Sequence, residues 1–253
     1  MNFIELKELL EEKALYYNRP SFVNTDPIQV PKLFSLKENI EIAGFLSAAI
    51  AWGQRPTIIR NAMHLMKLME GNPYDFLMQA EHQDWSRFSE FRHRTFNGTD
   101  LLFFLRSLRN IYLHHGGLEA VFTYGFRQEQ SIDSALRYFR KIFFETAHEV
   151  RSGKHISDID KGASAKRLNM FLRWMVRYDE GGVDFGLWKQ IPAAALMLPL
   201  DVHSGNQARM LGLLKRKQND WKAVHEVTAA LRQFDPSDPV KYDFALFGMG
   251  IFE

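Results

Sequence analysis

No cysteine occurs among the 253 residues. That excludes disulfides, thiolate zinc centres and cysteine-held iron–sulfur clusters. Long hydrophobic runs are missing as well. The longest nearly apolar stretch, Ile42 to Gly53, has 12 residues, against the roughly 20 that span a bilayer. Met1 to Lys13 is a charged, helix-patterned start without signal-peptide character, so the chain is expected in the cytoplasm, away from membranes. Charge of one sign is scarce: the formal balance is +2, and net electrostatics alone announces no nucleic-acid partner. No glycine-rich phosphate loop, no Gly-x-Ser-x-Gly elbow and no internal repeat is present. His114 and His115 are adjacent, and neighbours on a helix point to different sides, so no metal site is expected.

What the chain does have is material for a core. Hydrophobic residues make up 46% and aromatic residues 13%, which rules out a disordered chain and suffices for one large domain or two small ones. Charge is unevenly spread. Arg127 to Arg177 holds eleven Lys and Arg against six Asp and Glu, whereas residues 1–41 hold five against seven. Helical spacing recurs throughout. Phe3, Leu6, Leu9, Leu10 and Ala14 predict a helix over 3–17. Leu36 to Gly53 predicts a further helix, and its stretch Ala43 to Trp52 is apolar nearly all round, the mark of a helix buried on every side. Thr57 to Met69 begins an amphipathic helix. Thr99 or Asp100 is placed to cap a helix through Leu101, Leu105 and Leu108, and Ser131 or Asp133 one through Leu136 and Phe139. Residues 71–160 continue as helix after helix with polar connections. The expected fold class is all-α.

One stretch organises the rest. Leu198-Pro199-Leu200-Asp201-Val202-His203 places a carboxylate after an apolar run, at the opening of a helix whose apolar positions include Val202, Met210, Leu211 and Leu214. Asp201 stands where an N-cap belongs, its oxygens facing free backbone amides. An anchored carboxylate can also stabilise positive charge on a bound molecule. Upstream, Lys161-Gly162-Ala163-Ser164-Ala165-Lys166 makes a turn before a helix with Leu168, Phe171, Leu172 and Met175 on one face. With Ser164 as N-cap, Lys166 takes the second helical position. That is a poor place for an ammonium, which prefers the opposite end of the helix dipole. Between Ile50 and Pro56, Gly53-Gln54-Arg55 interrupts two helices with a neutral side chain that can both donate and accept.

These segments, in this order, resemble the helix-hairpin-helix (HhH-GPD) DNA glycosylase superfamily. Leu200-Asp201-Val202-His203 is similar to its [VL]-D-[VT]-H segment, and Ser47 to Arg55 to its L-L-S-x-Q-T segment. The segment Asp160 to Lys166 stands where the superfamily reads L-P-G-V-G-x-K, but with one glycine and no Leu-Pro. Asp201 follows 35 positions after Lys166, longer than in most members. An archaeal 8-oxoguanine glycosylase branch has a similarly altered hairpin and spacing, and the chain as a whole resembles a bacterial family of unknown function with this core.

The resemblance implies a two-lobed helical fold with a central cleft. One lobe runs from Ile42 to Asp179, the other comprises 1–41 plus 180–253, and Lys166 and Asp201 meet across the cleft. It implies Lys166 and Asp201 as catalytic residues. Gln54, His203, Lys161 and Arg167 become DNA contacts, and Met170, Asp243 and Phe247 the pocket for an extruded base. The implied activity is a base-excision glycosylase with associated lyase chemistry. It acts as a monomer in the nucleoid on double-stranded DNA with a damaged base such as 8-oxoguanine, and needs no cofactor. The alternatives are a catalytically inactive DNA-binding module of the same fold and a helical scaffold unrelated to DNA. Both Lys166 and Asp201 favour the enzyme, while the altered hairpin and near-neutral charge favour the alternatives.

Overall fold

The computed structural model describes residues 1–178 and 180–252. In chain order its helices are α1 (Phe3–Tyr17), α2 (Pro20–Val23), α3 (Lys37–Ala49), α4 (Arg55–Leu68), α5 (Pro73–Gln79), α6 (Gly98–His114), α7 (Leu118–Glu129), α8 (Ile132–Phe143), α9 (Lys166–Val176), α10 (Val202–Met210), α11 (Trp221–Arg232) and α12 (Tyr242–Phe252). Two-residue strands, β1 (Arg92–His93) and β2 (Phe96–Asn97), pair antiparallel with His93 opposite Phe96. The fold is all-α.

The chain forms two compact units, residues 25–157 and residues 1–24 with 158–253. The division differs from the sequence-based boundary near Asp179, a residue outside those described. Helix α9 belongs with the C-terminal helices, because the segment after it turns back along it. Phe185 N–H bonds to Trp174 O at 2.8 Å and Trp188 N–H to Met175 O at 2.9 Å. The Trp188 ring stands edge-on to Phe171, with centroids 5.4 Å apart. Residues 180–192 therefore contribute Val183, Asp184, Trp188 and Ile191 to the interior.

The 25–157 unit is built around α3, buried from Asn39 to Ala49, with the apolar run from Ile42 onward covered on every side. The Phe45 ring packs 5.5 Å from Phe139 and 5.6 Å from Phe143, in tilted and edge-on arrangements favoured by aromatic quadrupoles. Glu41, buried on the same helix, accepts the Tyr112 hydroxyl at 2.7 Å and lies 3.8 Å from Lys37 Nζ. At the start of α6 the cap is Asn97, not Thr99 or Asp100. The Asn97 side chain takes the Asp100 amide and the Asp100 carboxylate returns the bond to the Asn97 amide, a reciprocal box that satisfies two orphan donors. Of the two candidates Ser131 and Asp133, Ser131 caps α8, accepting from Ser134 N–H at 3.1 Å.

In the other unit α12 packs between α1 and α10. The crossing with α1 is close enough to demand glycine at 248, where a Cβ would stand 2.2 Å from Tyr17 Cδ2. Only Leu10, Ala14 and Tyr17 of α1 are buried. Phe3, expected in its apolar stripe, is half-exposed and stacks on Phe234 at 4.7 Å. Helix α10 departs further from its sequence pattern: its buried positions are Ser204, Gly205 and Ala208, while Val202 and Met210 face solvent. Gly205 faces the Asn219 side chain, and the close approach to α12 is made by His203, whose carbonyl oxygen would stand 3.0 Å from a Cβ at Gly250.

Candidate active site

The approach to α9 is a tight turn. A 3-10 segment, Ile159–Lys161, ends at Gly162 in the left-handed region, and Trp221 N–H bonds to Gly162 O at 3.0 Å. The chain enters α9 through Ala165, also left-handed at φ 50 and ψ 31. For a residue with a Cβ that conformation costs on the order of 1 kcal/mol. Asn169, one turn on and buried, holds it from both sides. Its backbone N–H bonds to Ala165 O at 2.9 Å and its Nδ2 donates to Ser164 O at 3.2 Å. Ser164 is therefore not the cap. Ala165 is, with no side-chain bond to the first-turn amides, and Lys166 becomes the first helical residue.

Asp201 is the N-cap of α10, with extended backbone at φ −122. Its two oxygens are differently used. Oδ1 accepts the His203 amide at 2.9 Å, the Ser204 amide at 3.0 Å and the Ser204 hydroxyl at 3.2 Å, while Ser204 Oγ accepts the Asp201 amide at 3.0 Å. Oδ2 faces Lys166, with Nζ 3.9 Å away. Both side chains are about one-quarter exposed, reachable from solvent yet held by buried backbone. The pair lies within one unit, not across two lobes as the sequence reading had it, because α9 folds with the C-terminal helices.

Behind this pair stands a buried ionic network. Arg173 on α9 and Arg177, the C-cap of that helix, share Asp184: Arg173 Nε lies 3.3 Å from Oδ1 and an Arg177 terminal nitrogen 3.0 Å from Oδ2. Arg173 also donates to Asp243 Oδ2, and Arg177 Nε reaches Asp238 Oδ2 at 2.8 Å. The Arg173 guanidinium lies over the Phe244 ring at 4.4 Å. The ties connect α9 to the 180–192 segment and to α12. Burial raises the Asp243 carboxyl to about 6; Arg173 opposes this, and the nearby Asp201 charge adds to it.

A family model described as "Protein of unknown function (DUF2400)" matches residues 26–252. The chain belongs to the DUF2400 family. No curated protein and no solved structure matches it.

All nine residues singled out from the sequence fall within the DUF2400 match. Besides Lys166 and Asp201, the structure places His203 at the exposed start of α10, where its Nδ1 can donate to Gly250 O at 3.3 Å. Met170 is buried on α9, four residues after Lys166. Asp243 and Phe247 lie on α12. The carboxyl of Asp243 is engaged by Arg173, and the half-buried Phe247 ring stands 6.5 Å from Phe22. Lys161 is exposed, its Nζ 3.8 Å from Asp158 Oδ2. Arg167 is half-buried, and desolvation lowers it to about 10, so it is still a cation at neutral pH. In the other unit Gln54 is the exposed N-cap of α4 and spends no side-chain bond on capping. Sequence reading passed over Arg173, Asp184 and Ser204. Ser204 was detectable, three positions after an N-cap aspartate. Arg173 and Arg177 had the signal of two arginines one turn apart on an apolar-striped helix. Asp184, in an irregular segment, had none.

Asp243 gives this DUF2400 chain a measurable pH dependence. In the folded protein the carboxyl keeps its proton up to about 6, whereas in the unfolded chain it loses it near 3.8. The folded state thus binds more protons between those values, and stability falls as pH rises through that window, by about 3 kcal/mol from this group. Asp243→Asn is expected to remove that decline. Urea midpoints of the two proteins at pH 4 and pH 7 provide the check, and equal declines in both would assign the effect elsewhere.

Proposed function

We propose that this chain is a base-excision DNA glycosylase with associated lyase activity. The observation that carries the reading is the Lys166–Asp201 pair: an amine at the first position of a helix, 3.9 Å from a carboxylate oxygen left free by capping. The order of motifs along the chain supports it.

In the proposed reaction the damaged nucleotide leaves the base stack, because chemistry at its sugar is inaccessible inside the duplex. The C1′–N bond breaks, its electron pair departs with the base, and Asp201 stabilises the cationic sugar that develops. The neutral amine of Lys166 forms the new bond to C1′, losing its proton as the sugar ring opens to an imine. Removal of a C2′ proton then expels the 3′ phosphate and cuts the strand. The site needs a carboxylate that stays put while charge develops. Two backbone amides and a hydroxyl on Oδ1 provide that fixity.

Borohydride reduces an imine to a permanent bond and so tests the step directly. Incubated with duplexes carrying 8-oxoguanine, uracil or an abasic site, the protein is expected to form a covalent complex on at least one intact damaged base, and Lys166→Ala to form none. Trapping on the abasic aldehyde alone would not support base excision, because many amines react with it. A wild-type protein that binds these duplexes and traps none of them is a DNA-binding module instead.

A further inference from the structure

The hairpin joining β1 and β2 puts an arginine where a glycine or asparagine would cost less. Arg94 has φ 54, in the left-handed region that residues with a Cβ enter at a cost. Such an outlier persists only where its surroundings over-determine it, and here they are visible. The flanking His93, buried, lies with Nε2 3.0 Å from the Trp52 carbonyl and Nδ1 2.9 Å from Asn61 Nδ2. Those partners give the imidazole its proton on Nε2. Asn61 Nδ2 also reaches the Arg92 carbonyl at 3.3 Å. In the turn itself, the carbonyl of Thr95 accepts from Arg151 at 3.0 Å, and Arg151 also donates to Asp100 Oδ2 at 3.0 Å. Asp100 is itself buried. Its burial works against the charge, and the Ser152 hydroxyl, the Asn97 amide, His155 and Arg151 outweigh it, keeping the carboxyl below its ordinary value.

All this bracing aims one side chain. The Arg94 guanidinium lies against Gly53, its NH1 3.0 Å from where a Cβ of residue 53 would stand. Gly53 immediately precedes Gln54. Arg92 and Arg94 are exposed, and neither side chain has an acidic partner among the described residues. A structural arginine on such a turn would pair with a carboxylate or with carbonyls, as Arg151 does. Arg94 instead carries an uncompensated charge to the turn that presents Gln54.

We infer that Arg94 contacts a backbone phosphate of the duplex that Gln54 enters, the strained hairpin holding its guanidinium beside the glutamine. The inference rests on the DNA reading and deepens it, adding a contact in a segment that sequence motifs left as helical filler.

Arg94→Gly separates binding from folding, because glycine adopts positive φ freely and relieves the strain as it removes the charge. Anisotropy titrations of a labelled duplex with a tetrahydrofuran abasic analogue, across a series of salt concentrations, give both affinity and salt slope. The expected result for Arg94→Gly is a thermal midpoint at or above wild type, with affinity reduced roughly tenfold and the slope of log K against log salt shallower by about 0.9. Arg94→Lys, which keeps the charge, should retain the wild-type slope. Wild-type affinity and slope in Arg94→Gly would overturn the phosphate contact while leaving the DNA reading intact. A wild-type protein without affinity at low salt would overturn both.

Discussion

Under the proposed glycosylase chemistry, Asp201→Asn is expected to lose base release by about two to three orders of magnitude while unfolding at the same temperature as wild type. Two properties of one side chain are separable here. As N-cap, Asp201 supplies an oxygen to the amides of His203 and Ser204, and asparagine serves that purpose equally well. Its other oxygen, 3.9 Å from Lys166 Nζ, has the charge that a developing sugar cation requires, and a neutral amide does not replace it. Losing a preorganised electrostatic contact of this kind costs about 10²–10³ in rate. Asp201→Ala removes both properties, so it should lose activity to the same degree and also about 1 kcal/mol of stability. Single-turnover base release measured beside urea denaturation reads the two effects. If Asp201→Asn releases base at the wild-type rate, the carboxylate is a cap and nothing more.

The largest effect on stability is expected at Arg173. Its guanidinium is buried between Asp184 and Asp243 and lies over Phe244. Arg173→Met roughly preserves the volume but takes the Arg173 cation from Asp243, while Asp184 keeps its pairing with Arg177. Removing one partner of a buried ion pair costs about 3–5 kcal/mol, since the remaining charge stays desolvated. For a chain of this size that corresponds to a midpoint lowered by roughly 10 °C. Adding Asp243→Asn should recover part of the loss, because the carboxylate left unpaired is then gone. Groups sharing one network couple by about 0.5–3 kcal/mol. Strict additivity of the two substitutions would show that Arg173 and Asp243 do not depend on each other.

Much of this was legible from residues that act within a turn or two of themselves. The apolar run from Ile42 predicts a helix buried on all sides, and α3 is one. Asp201 reads as an N-cap because cap and amides are consecutive in the chain. The capping of α6 shows the resolution of such reading: two candidates were named and the adjacent Asn97 is the cap, since its backbone is extended while Asp100 is already helical.

Contacts between distant segments were not legible. Nothing local to Ala165 predicts a left-handed residue; the turn at Gly162, held to Trp221, and the buried Asn169 impose it. Lys166 moves to the first helical position as a consequence. Val202 and Met210 have the apolarity of core residues and face water, while His203 and Gln207 of the same helix meet Gly250 and Met249 of α12. The sequence by itself determined the all-α class, most of the helices and the cap at Asp201, since these depend on backbone preferences and on partners a few residues away. The tertiary structure alone decided that α9 joins the C-terminal helices, that Lys166 stands beside Asp201, and that Arg173 gathers Asp184 and Asp243. Those outcomes follow from which surfaces pack together and which charges then lose their water, and a long-range partner leaves no periodic trace in the chain.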